Sequence, residues 1–150
     1  MRRKILLGLC LPLLFAFTQN DSDSYPLTWD LLKKHVSFTE KYNKSVDLVL
    51  LYPTFSEEIK KMDGKKAHLK GYMIESDPAA GIYVLSRYPM AQCYFCGGAG
   101  PESIVEVQLK SKSKRYRTDQ LATITGVFEL NAVDIEHCNY MLKDAVVKLE

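Results

Sequence analysis

The chain of 150 residues carries 20 lysines and arginines against 18 aspartates and glutamates, a formal net charge of +2, and 47% hydrophobic residues. That length holds one hydrophobic core and is too short for two comfortable domains. So balanced a charge gives no concentrated basic face of the kind that nucleic-acid binders carry, and nucleic acid is not an expected partner.

The chain opens on the basic cluster Met1-Arg2-Arg3-Lys4, followed by an apolar run over residues 5–17. A positive start and an apolar stretch of this length are the pattern of a secretory signal peptide, and the stretch is too short to span a bilayer. Ala16 and Thr18 place small residues at a cleavage site, so residues 1–18 are expected to leave, with retention as an anchor the alternative. The mature chain is then periplasmic or secreted and has no transmembrane span. Cleavage removes Arg2, Arg3 and Lys4, leaving 17 basic against 18 acidic residues. It also removes Cys10 and leaves Cys93, Cys96 and Cys138. In an oxidising compartment three cysteines imply a free thiol, an intermolecular bond, or a site that is not a disulfide framework.

Residues 19–26 are polar, end in Tyr25-Pro26 and read as a flexible leader. Thr28 is placed to cap a short helix that carries Trp29 and Leu32 on one face. A dense apolar run at 46–52 predicts a buried strand. Ser56-Glu57-Glu58 predicts a second helix over 56–62, stopped by Asp63-Gly64. Beyond it the punctuation is that of strands, at 66–74, 82–87, 103–109, 121–130 and 140–149. In the third of these, Val105, Val107 and Leu109 alternate onto one face. Gly71 and Gly126 fall inside the first and fourth, where a missing side chain permits the bend a small closed barrel needs. The expected architecture is all-β with a small α content: a five-stranded OB-like barrel after an N-terminal helical and strand extension, in one domain over 27–150. A β-sandwich is the alternative. No internal repeat or dividing linker interrupts the pattern.

The chemically distinctive segment is Cys93-Tyr94-Phe95-Cys96-Gly97-Gly98. Two thiolates at this spacing can point at one cation, and a glycine behind the second lets the backbone fold back so that its amides approach the sulfurs. Tetrahedral zinc needs two further ligands, for which His137 and Cys138 are the best donors, with Asp134 and Glu136 in reserve. Neighbours in an extended strand point to opposite faces, so only one of His137 and Cys138 is expected to reach the site. Met90, three residues ahead of Cys93, would suit a soft ion such as monovalent copper. The rival readings are a local Cys93–Cys96 disulfide in a metal-free interaction module and an envelope thiol oxidoreductase. The last is disfavoured because the run Gly97-Gly98-Ala99-Gly100-Pro101 is a poor start for the helix that stabilises such a thiolate. The same run lacks the lysine and hydroxyl residue of a phosphate-binding loop. The basic stretch over 110–117 reads as a solvated turn, His35 and His68 have no neighbouring donors, and no hydrolytic triad is recognisable.

The phrases Leu50, Tyr52-Pro53 and Phe55; Lys70-Gly71-Tyr72-Met73-Ile74; Cys93-Tyr94-Phe95-Cys96-Gly97-Gly98-Ala99-Gly100-Pro101-Glu102-Ser103; and Asn139-Tyr140, Leu142 and Asp144-Ala145 together resemble a family of small exported bacterial proteins with a domain of unknown function (DUF3299-like). The resemblance runs from about residue 27 to residue 149. It implies an envelope binding or assembly role without a reaction, and it favours a metal at Cys93, Cys96 and His137. It makes Cys138 the weakest ligand. Some distant relatives accompany transporter components implicated in zinc uptake, which implies an envelope transporter or membrane protein as partner.

Overall fold

The computed structural model describes residues 23–150, so the expected signal peptide and the first residues of the leader lie outside the described residues. The last leader residues, expected to be flexible, form strand β1 (Tyr25–Pro26), which pairs in parallel with residues 67 and 68. Helix α1 (Trp29–Lys34) starts where the sequence places it, the Leu31 amide donating to Thr28 Oγ1 at 3.2 Å. Its Leu32 is fully buried, a contribution of about 2 kcal/mol by transfer free energy.

Strands β2 (Val36–Asn43) and β3 (Leu48–Phe55) form an antiparallel hairpin that is a sheet of its own. The apolar run at 46–52 is therefore a strand, as expected, but not a buried one: Leu48, Val49 and Leu51 are exposed. β2 is not among the strands expected above, although Val36, Phe38 and Tyr42 alternate with Ser37, Thr39, Lys41 and Asn43 and only Glu40 breaks the pattern. Helix α2 (Glu57–Lys60) follows and buries Ile59.

The remaining strands are β4 (Lys66–Asp77), β5 (Ile82–Ser86), β6 (Ile104–Leu109), β7 (Leu121–Leu130) and β8 (Tyr140–Leu149). They pair in the order β4-β5-β6-β8-β7, and β7 returns to β4. All contacts in this ring are antiparallel except β6 with β8. That closed five-stranded ring is the OB-like barrel, and the β4–β7 pairing that closes it sets the sandwich aside.

β4 serves two partners by bending, with residues 66–72 opposite β7 and residues 72–77 opposite β5. Gly71 sits at the changeover, where a Cβ would lie 2.6 Å from the Ser86 carbonyl oxygen and 2.9 Å from the Trp29 ring. The expected role of Gly71 is thus met by backbone proximity. Val105 and Val107 of β6 face the core with Leu69, Tyr83, Ile124 and Phe128. Leu27, Leu32, Phe55 and Ile59 join that same core, so the N-terminal extension is packed into the barrel. Tyr140 ties the two parts together, its buried hydroxyl donating to the Leu32 carbonyl at 2.9 Å. Among the described residues no helix is long and apolar enough to cross a membrane.

Candidate functional site

The outward side chains of β5 and β6 do not meet open solvent. They form the base of a groove of about 610 Å³, with Val84, Ile104 and Glu106 buried beneath it. One wall is residues 49–53 of β3, another is Tyr94, Phe95 and Pro101, and a third is the 132–139 loop between β7 and β8. The rim is apolar: Val49, Leu51, Phe95, Val133 and Ile135 are all exposed, Val133 at 81%. Tyr94 and Phe95 pack edge to face at 5.7 Å.

The loop wall is held by two residues. Asn131, nearly buried, accepts at Oδ1 from the amides of Val133 (3.2 Å) and Asp134 (2.9 Å). Its Nδ2 donates to the carbonyls of Asp134 (2.6 Å) and His137 (3.2 Å). Glu106 anchors the far end. His137 Nδ1 lies 2.9 and 3.0 Å from its two carboxylate oxygens, the Cys138 amide donates to it at 3.2 Å, and Gln108 Nε2 donates at 2.8 Å. A carboxylate only 5% exposed is tolerable because these donors replace the water it has lost.

Neither anchor is conspicuous in the sequence. In Val105-Glu106-Val107 the alternation places Glu106 outward, which reads as solvated; only the loop folding over the strand buries it. Asn131, at the end of a strand before a turn, is a recognisable Asx-type signal. The groove gathers the carboxylates Asp77, Glu106, Asp134 and Glu136 with His137, and among the described residues no lysine or arginine lines it.

The four residues expected to hold zinc have unlike surroundings in this arrangement. Cys93 is fully buried with Ile74, Val84 and Ile104, and Cys138 packs against the same cluster. Cys96 is exposed, and the three described cysteines are free thiols. His137 turns its Nδ1 to Glu106. Burial, and then the charge of Glu106, push the Cys138 thiol up to about 12. Among the described residues no group of three or more His, Cys, Asp or Glu side chains is placed to hold a metal ion.

The backbone does fold back at Gly97, whose φ of +74° suits glycine. Its purpose differs from the expected one. The Cys96 and Gly98 amides donate to the Cys93 carbonyl, at 3.2 and 3.1 Å, and not to sulfur. Between the cysteines lies one 3-10 turn, Tyr94–Cys96, too short to supply the dipole of a thioredoxin-like helix. In the basic stretch, Tyr116 is directed inward onto Tyr83 with ring centroids 5.7 Å apart, which leaves a solvated turn without an exposed aromatic.

No family model matches the chain, and no curated protein matches it. Among solved structures, the crystal structure of a DUF3299 family protein from Pseudomonas aeruginosa PAO1 is similar, with a TM-score of 0.46 and 20% identity over 65% of this chain and 67% of that one.

Proposed function

We propose that this chain is a binding or accessory protein acting outside the cytoplasm, and that its groove receives an extended segment of a partner protein. The observation that carries the reading is the groove itself: an apolar rim around four carboxylates, with no lysine or arginine among the described lining residues. That chemistry complements a segment in which apolar residues alternate with lysine or arginine. The wall formed by β3 adds a backbone template. Among the described strands β3 pairs with β2 alone, so its second edge is free to take a further strand. An envelope membrane protein or transporter subunit, the partner class implied by the family resemblance, would supply such a segment from a terminus or loop.

The test uses two ten-residue peptides, one alternating valine with lysine and one alternating valine with glutamate, titrated by fluorescence anisotropy. The lysine peptide is expected to bind, and Glu136→Lys together with Phe95→Ser should weaken it about tenfold or more. Equal affinity for the two peptides, or no effect of the two substitutions, would overturn the reading.

A further inference from the structure

Residues 90–96 are built as two successive 3-10 turns, Met90–Gln92 and Tyr94–Cys96, with Cys93 ending the first and starting the second. Cys93 itself is extended, with φ −79° and ψ 177°, so the two turns do not run on as one helix and contacts alone relate the three sulfurs. The Cys93 thiol donates to Met90 Sδ at 3.8 Å, and Cys93 is close enough to Cys96 to act on it through their side chains. Three sulfurs are thus linked by contact, while His137 is engaged by Glu106.

We propose that Met90, Cys93 and Cys96 form a binding site for monovalent copper. A metal–sulfur bond of about 2.3 Å places two sulfurs of a trigonal or tetrahedral site about 4 Å apart, close to the Met90–Cys93 separation. Number and softness of donors decide between ions. Zinc takes four ligands and favours nitrogen and oxygen beside sulfur, whereas two thiolates and a thioether suit Cu(I). On binding, each thiol loses its proton to solvent and forms one sulfur–copper bond. The thioether donates a lone pair, and copper stays monovalent, so no electron acceptor is required. Cys93 supplies a buried, apolar backing from Ile74, Val84 and Ile104, while Cys96 faces solvent and gives the ion a way in.

The experiment is an anaerobic Cu(I) titration of the reduced full chain against the chromophoric chelator bathocuproine disulfonate. One Cu(I) per chain should be retained. Cys96→Ser, at an exposed position, should abolish retention, and the near-isosteric Met90→Leu should weaken it about tenfold. His137→Ala should leave it unchanged. Thermal melts confirm that each variant is folded. Loss of all Cu(I) to the chelator in the wild type, or wild-type affinity in Met90→Leu, overturns the proposal. A cobalt(II) thiolate band that depends on His137 overturns it as well, since that is the behaviour of a zinc-type site. None of these outcomes depends on whether the groove binds a peptide.

Discussion

Replacing Glu106 with alanine tests the buried anchor of the groove. The substitution removes the acceptor of three contacts, from Cys138, Gln108 and His137, of which the first and third hold the 132–139 loop to β6. Hydrogen bonds to a charged acceptor are worth about 1.5–3 kcal/mol each, but release of a buried carboxylate from its desolvation cost offsets part of that sum. The net loss is expected at about 3 kcal/mol, which for a domain of this size lowers Tm by roughly 10 °C. Glu106→Gln, which keeps shape and one acceptor oxygen, should lose about half as much. Thermal and urea melts of both variants, and of a double-mutant cycle with His137→Ala, measure the effect. The cycle should show a coupling of about 1 kcal/mol or more between Glu106 and His137. A Tm within about 2 °C of wild type for Glu106→Ala, or additive single effects in the cycle, would refute the account of this carboxylate as the pin of the loop.

Gly71→Ala should cost about 3 kcal/mol, because the new Cβ meets the Ser86 carbonyl, the Trp29 ring and Leu85 at once. Gly64→Ala, at φ +74° with no atom within 4 Å of the added Cβ, should cost about 1 kcal/mol from backbone strain alone. Urea midpoints compare them, and equal losses would contradict the crowding at the β4 bend. Alkaline pH should destabilise the fold through Cys138. Its folded thiol is raised from 9.0 to about 12, so the stability it contributes is complete below pH 9 and is lost as pH rises through that window. The slope from this one group approaches about 1.4 kcal/mol per pH unit. Tyr140, also raised by burial, adds loss of the same sign at higher pH. In Cys138→Ala the decline in urea stability between pH 9 and 11 should be visibly shallower, and an unchanged slope would show that the thiol is not the source.

The barrel was legible from local pattern. Strand periodicity at β6, the interior glycines of β4 and β7, and the Thr28 cap are consequences of how neighbouring residues must lie on a strand or helix, and a sequence records them directly. The hairpin was half legible. An apolar run announces β3, but a run does not say which side is covered, and here the partner is a single polar strand that leaves Leu48, Val49 and Leu51 exposed.

Cys93, Cys96, His137 and Cys138 stood out by residue type. Their relation did not, since it depends on distances across 40 residues of chain. By itself, the sequence determined the five-strand order of events, the caps and bends, and the threefold spacing of Met90, Cys93 and Cys96, because each follows from backbone geometry over a few residues. The tertiary structure decided the environment of Glu106, the direction of His137 and the groove between β3, Tyr94-Phe95 and the 132–139 loop. Burial and hydrogen-bond partnership are properties of what folds over a residue, and for these residues the covering chain lies far away in sequence.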